Sequence, residues 1–391
     1  MNRNVILLSL CQALLVTGNI LLVAVNALIG RELAPSAALI TLPVAFQFVG
    51  LMAATIPASL IMGRIGRRNG FYLGNSIGIA GALVCLLALQ QASFWLFSVG
   101  TLLLGVGIGF GTLYRFAAVD ACEPEQHSRA ISLVMAGGVL AAVLGPNLAV
   151  YSRQWFDTQP FIGAFAGLLG LYVLALVLLS RIHFNPAPAD ALAGSQRPMR
   201  EILAQPAFIS AVVAGMVSYA VMVLLMTATP LAMARCGYSF GSAAQVIEWH
   251  VLGMFVPSFF TGRLLGRFGV RPMMQLGALL MLLCTAINLH GTSEWHFMLA
   301  LLLLGVGWNF MFIGATQLVT RCYRPAEKAK SQAANEFLVF SMTTLAALST
   351  GWLESSVGWA TMNVLMVPVL LWAMAVIWWF RAEPQADAAA A

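Results

Sequence analysis

Long apolar runs alternate with short polar stretches along the whole chain. The runs reach about 20 residues or more, the length an α-helix needs to cross the hydrocarbon core of a bilayer. Twelve spans are predicted, near residues 5–29, 36–62, 71–91, 94–118, 130–150, 160–180, 206–233, 240–262, 272–290, 295–319, 331–352 and 359–380. One polar stretch is longer than the rest. Residues 181–205 (RIHFNPAPADALAGSQRPMREILAQ) are proline-rich, carry both signs of charge, and read as a linker. It divides the chain into two six-helix halves, 1–180 and 206–391. The expected fold is an all-α membrane protein of twelve transmembrane helices.

Composition narrows the class further. Of 391 residues, 60% are hydrophobic and 9% charged, with a mean hydropathy of +0.88. Soluble domains carry about 25% charged residues, so this chain has too little charge to cover a water-facing surface. The net charge of +6 is no nucleic-acid signal, because the basic residues sit in short loops between spans. Their distribution orients the chain. Of 20 Lys and Arg, only Arg31, Arg153 and Arg235 fall on the outer side when both termini are inside, and Arg115 lies at a helix end. The bias predicts cytoplasmic N and C termini. Val5 to Ile29 is too long for a signal-peptide core and no cleavage-like site follows, so it is kept as the first span. The six cysteines form no CxxC pair, so neither a zinc site nor a redox motif is signalled. No nucleotide-binding P-loop is present, so direct drive by ATP is not expected, nor is catalysis.

The two halves repeat. Gly63-Arg64-Ile65-Gly66-Arg67-Arg68 recurs as Gly266-Arg267-Phe268-Gly269-Val270-Arg271, and LLLGVGIGF at 102–110 recurs as LLLGVGWNF at 302–310. Pro124-Glu125 is echoed by Pro325-Ala326-Glu327. Such duplication is a transporter signature, with the solute bound near the midplane. The sequence here resembles the major facilitator superfamily over essentially its whole length. The loop after the second span is similar to that family's G-x-x-x-D-R-x-G-R-R motif through Ser59, Gly63, Arg64, Gly66, Arg67 and Arg68. The acidic position is Gly63, repeated as Gly266, so the charge-relay latch of that motif is incomplete. The resemblance implies gating or coupling roles for Arg64, Arg67, Arg68, Arg267 and Arg271, and a monomer.

Two short spacings carry candidate chemistry. Met222-x-x-x-Met226 and His250-x-x-x-Met254 each place two ligands one helical turn apart on one face. Thioether with imidazole suits monovalent copper and is poor for magnesium or calcium. A Met stripe alone is more often packing, but His250 is the one histidine deep in a span, where an imidazole needs a partner. Aligned through the repeat, His250 falls opposite Gln47, Met254 opposite Leu51, Met222 opposite Asn19 and Met226 opposite Val23. Substrate choice is expected where the halves differ.

The motif pair, with WHVLGMFVPSFFTGRL at 249–264 and GVGWNFMFIG at 305–314, looks like the CcoA-like branch of the superfamily. That resemblance implies copper import across a bacterial inner membrane, in service of cytochrome oxidase assembly. Met222, Met226, His250 and Met254 would be the metal residues, and a cytoplasmic copper acceptor or chaperone a partner. Copper would be cargo; no cofactor is expected. A sister branch lacks the motifs and is associated with riboflavin uptake. Transport of an organic solute, such as riboflavin or a drug, is therefore the first rival, with Trp and Phe residues of the eighth and tenth spans stacking on it. A non-transporting copper sensor or assembly factor is the second.

Weaker candidates follow. Met233 continues the Met222/Met226 face, and with Cys236 it offers a metal relay. Cys122 and Cys322 occupy matching loops. Arg115 and Glu336, ionisable residues in or near spans, are candidates for pairing or proton coupling. Asn309 is a candidate cavity residue, and Pro146, Pro230 and Pro257 are candidate bends.

Overall fold

A computed structural model describes residues 3–36, 39, 42–152, 155, 161–183 and 196–379. Among these residues there is helix and no strand, as expected where the bilayer offers backbone groups no water to bond. In the first half α1 is Arg3–Leu33, α2 Leu42–Ile65, α3 Arg67–Gln90, α4 Phe94–Gly111, α5 Tyr114–Val119, α6 His127–Ala136, α7 Gly138–Ser152 and α8 Ile162–Ser180. In the second, α9 is Met199–Leu203, α10 Pro206–Arg235, α11 Phe240–Phe255, α12 Ser258–Phe268, α13 Val270–His290, α14 Glu294–Thr320 and α15 Lys328–Trp379.

Ten helical stretches among the described residues are long and apolar enough to cross a membrane. Two of the twelve expected spans take another form. The 240–262 span is broken into α11 and α12 at Val256-Pro257, because Pro257 has no N–H to continue the ladder. The 331–352 span is part of α15, a run of 52 residues that bends at Gly358, where φ is +78°. That stretch is less apolar because it carries Ser331, Gln332, Asn335, Glu336, Thr343, Thr344 and Thr350, all of them buried within the protein. The 130–150 span is counted among the ten, although it is parted at Gly137 into α6 and α7.

The chain forms two compact units, Met1–Glu123 with Gly137–Pro186, and Pro124–Ala136 with Ala187–Ala391. The boundary differs from the linker-based division in one respect: α6 belongs to the second unit. It lies along α12, where a Cβ on Gly262 would fall 2.7 Å from the Ser128 carbonyl oxygen. Of the linker, 184–195 lies outside the described residues. Its start is tied to unit 1 by Asn4, whose Nδ2 donates to the His183 carbonyl at 2.6 Å. Its end is tied to unit 2 by Arg197.

The repeat is visible in backbone detail. Gly66 (φ 84°, ψ 160°) and Gly269 (φ 87°, ψ 160°) cap α3 and α13 in the same left-handed conformation, open to glycine at no steric cost. In unit 1 α2 and α4 meet where Gly50 faces Leu102 and Gly105 faces Gln47. The counterpart contact in unit 2 joins α11 to α14. There, a Cβ on Gly253 would lie 2.7 Å from the Leu302 oxygen, and one on Gly305 would lie 2.8 Å from the Met254 nitrogen. Bare glycine lets the backbones touch, so any side chain must push the helices apart. Gly305→Val should lower the thermal midpoint of the purified protein and its folded yield, by about 1–3 kcal/mol of overpacking. An unchanged melting curve would refute the contact.

Candidate functional site

His250 sits in the middle of α11 and is fully buried. Its Nδ1 lies 2.8 Å from the Leu301 carbonyl oxygen on α14. A carbonyl only accepts, so Nδ1 carries the proton and donates it. Nε2 is therefore left with its lone pair, buried and without a hydrogen-bond partner. Met254 is also buried, one turn on. Glu248, two residues before His250, is exposed on another face. On α10, Met222 is buried and Met226 half-buried. Met233 is buried, while Cys236 at the helix end is exposed, so the two relay candidates differ in access.

Unit 1 supplies a measure of how these positions relate. Gln47 Nε2 donates to Asn19 Oδ1 at 2.8 Å, and Asn26 Nδ2 donates to Gln47 Oε1 at 2.8 Å. Gln47 and Asn19 are the repeat counterparts of His250 and Met222. A side chain at the first position thus reaches one at the second in the half where both are polar. The amide chain ends at Asn26 Oδ1, buried without a partner.

Asn309 has a different task from cavity lining. Its Nδ2 donates to the Met254 carbonyl and to Ser258 Oγ, each at 2.6 Å, and its Oδ1 accepts from Thr261 Oγ1 at 2.7 Å. It satisfies backbone and hydroxyls at the Pro257 break and so braces α11 and α12 against α14. Next to it Trp308 is buried and stacks on Phe312, with centroids 5.0 Å apart and planes 15° from parallel. Tyr219 of α10 meets Trp308, Phe312 and Phe340 edge-on at 5.4, 5.2 and 5.3 Å, and Phe255 closes on Trp308 at 6.0 Å. The indole Nε1 is buried without a hydrogen-bond partner, whereas a buried Trp N–H usually finds one. Tyr219 escaped the sequence reading. Its only signal was an aromatic residue in the seventh span, one turn before Met222.

The charged candidates divide. Arg67 Nε pairs with Asp120 Oδ2 at 3.0 Å, giving unit 1 an ion pair although Gly63 replaces the motif's acid. Arg68 reaches the Ser180 carbonyl at 3.3 Å. Arg64 and Arg267 are exposed, with Arg267 over the Phe268 ring, and Arg271 is half-buried. Arg115 is buried in unit 1 and donates to the Thr112 carbonyl at 2.8 Å. Glu336 is buried in unit 2 and accepts from Asn335 at 2.8 Å.

An unforeseen clamp holds the end of the linker. The Arg197 guanidinium grips both oxygens of buried Glu327, at 2.9 and 2.6 Å, and also bonds the Cys322 carbonyl at 3.1 Å. The Arg197 and Arg324 backbone N–H groups add bonds to the same carboxylate at 2.8 and 3.0 Å. Burial alone would raise the Glu327 carboxyl; these donors outweigh it and hold the pKa at about 2. The loop thiols move the other way. Burial pushes Cys322 up to about 12 against three neighbouring arginines, and Cys122 rises to about 11. Neither is a thiolate at neutral pH, the form that binds metal.

Comparison with known proteins bears on the whole chain. The family profile described as Major Facilitator Superfamily matches residues 8–248 and 239–391. The riboflavin transporter RfnT of Brucella anthropi is 41% identical over 373 residues, covering 94% of this chain and 93% of that protein. Among solved structures, the proton:xylose symporter XylE overlays with a TM-score of 0.83 at 12% identity, covering 97% of this chain and 96% of that one. The human organic anion transporter MFSD10 gives 0.78 at 16%, covering 96% and 99%.

The clamp predicts a pH signature. With its pKa depressed, Glu327 contributes stability that is complete above the ordinary carboxylate range and is lost progressively as pH falls from that range to about 2. Removing the guanidinium with Arg197→Leu lets burial prevail and raises that pKa. The variant's thermal midpoint should then fall as pH rises from about 5 to 8, and adding Glu327→Gln should flatten the curve. An Arg197→Leu profile parallel to wild type would contradict the assignment.

Proposed function

The chain belongs to the major facilitator superfamily, and on that footing we propose that it is a secondary transporter importing riboflavin or a closely similar flat heteroaromatic solute. The observation that carries this reading is the 41% identity to a riboflavin transporter over nearly the full length of both chains. The side chains of each unit agree with it. Unit 2 holds a stacked and edge-on aromatic cluster around Trp308, with an indole N–H to spare. Aromatic faces and an unspent donor suit a ring system edged with carbonyls. Unit 1 holds the Asn19–Gln47–Asn26 amide chain with an unspent acceptor, which suits a ring N–H. Alternating access by the family's two halves would release the solute on the far side. We place the protein in a bacterial inner membrane with both termini cytoplasmic, on the arginine asymmetry of its loops, and take it to act as a monomer.

A second reading, import of Cu(I), is favoured by one observation. His250 gives its Nδ1–H to a carbonyl and keeps a bare, buried Nε2, which is how metal-binding imidazoles are commonly held. Met222 and His250 stand at the repeat positions of the bonded Asn19–Gln47 pair, and Met226 and Met254 would complete the ligand set. Copper would then pass to a cytoplasmic acceptor. Binding without accumulation in proteoliposomes would point to a copper sensor or assembly factor.

One cell-based comparison separates the readings. The host lacks riboflavin synthesis and its own riboflavin and copper importers, and carries wild type, Trp308→Leu or His250→Ala at matched expression. Wild type should support growth on low riboflavin and accumulate labelled riboflavin. Trp308→Leu should slow that uptake at least tenfold, about 1.4 kcal/mol, while His250→Ala stays within about twofold of wild type, well under 1 kcal/mol. Copper accumulation that His250→Ala abolishes, without riboflavin uptake by wild type, would overturn the first reading in favour of the second.

A further inference from the structure

The turn between α13 and α14 carries two histidines that no transport role has used. His290 ends α13 and is exposed; His296 lies in the first turn of α14 and is half-buried. Their ring centroids are 6.0 Å apart, with planes 40° from parallel. A metal–nitrogen bond of about 2.0–2.1 Å, added to about 1.1 Å from nitrogen to ring centre, lets one ion held between two imidazoles at a wide, near-trans angle join rings up to about 6.4 Å apart. The pair is inside that limit without moving the backbone.

Two further features of the turn fit such a role. Ser293 Oγ is 2.6 Å from His296 Nδ1. When Nδ1–H donates to that hydroxyl, Nε2 is left as a free ligand, and an oxygen on the other ring nitrogen is the usual support of a metal-bound imidazole. Gly291 supplies the space. A Cβ there would lie 2.5 Å from His296 Cε1 and Nε2, so a side chain at 291 would crowd the ligating edge. The turn is braced from outside, since the Tyr238 hydroxyl donates to the Thr292 carbonyl at 3.1 Å and its ring meets Phe297 at 6.2 Å.

We infer that His290 and His296 form a surface site for a divalent transition ion of the imidazole-seeking class, Cu(II) or Zn(II), with water completing the coordination. Imidazole suits both, and Cu(II) binds such nitrogen sites more tightly. The site is separate from His250, which is buried in α11, and does not depend on which solute the protein carries.

The test uses untagged, full-length protein in detergent, titrated with Cu(II) and read by calorimetry and electron paramagnetic resonance. Wild type should take up one ion with a two-nitrogen signature. His290→Asn and His296→Asn should each weaken binding at least tenfold. Ser293→Ala should weaken it about tenfold, and His250→Ala should leave it unchanged. A second readout needs no variant: Zn(II) should slow diethyl pyrocarbonate modification of His290 and His296, located by mass spectrometry. Wild type without the two-nitrogen signal, binding that survives both histidine changes, or modification indifferent to Zn(II) would each overturn the site.

Discussion

Every backbone N–H and C=O inside a bilayer must find its partner within the protein, and this one constraint accounts for most of the chain's architecture. It makes the spans helical. It also makes each interruption expensive unless a side chain steps in. At the Pro257 break, the Met254 carbonyl is met by the Asn309 amide, and the same amide group engages Ser258 and Thr261. Four polar groups close on one another in the buried interior. The break is therefore braced against α14 through Asn309.

Duplication explains what the halves share, and divergence explains what they do. The shared part is backbone: left-handed glycines before α3 and α13, and glycine-lined seams between α2 and α4 and between α11 and α14. The divergent part is a handful of side chains hung on those seams. Where unit 1 joins Asn19 to Gln47, unit 2 has Met222 and His250. A hydrogen-bonded amide pair has been exchanged for a thioether and an imidazole on the same frame. The new imidazole turns to the Leu301 carbonyl for its one bond.

Much of this was legible in the chain itself. Apolar run length located the spans, and the paired GRxG loops exposed the repeat. The residues of interest in the second half, His250, Met254 and Trp308, stand out because they break the repeat. Other features were not legible, for a common reason: hydropathy reports how apolar a segment is, not which group answers it. Residues 331–352 pass for an ordinary span, yet their polar side chains are buried. Asn309 looks like a cavity residue until its three partners are seen. Arg197 and Glu327 lie 130 positions apart, and nothing local in either marks a pair. The copper reading rested on two ligand spacings and a local resemblance around them, whereas the 41% identity to a riboflavin transporter runs along nearly the whole chain.

The placement of α6 has a consequence for how such a molecule can be taken apart. The linker invites the idea of two modules to be cut, shuffled or expressed separately. Yet α6 is encoded in the first half and packs in the second, its Ser128 and Arg129 backbone resting against the bare Gly262 of α12. A gene divided at residue 190 would deliver a C-terminal fragment without α6, leaving Gly262 bare of its partner. The natural seam of the protein is not where its sequence is most polar. Modularity here belongs to the fold and its ancestry, and no single cut of the polypeptide recovers it.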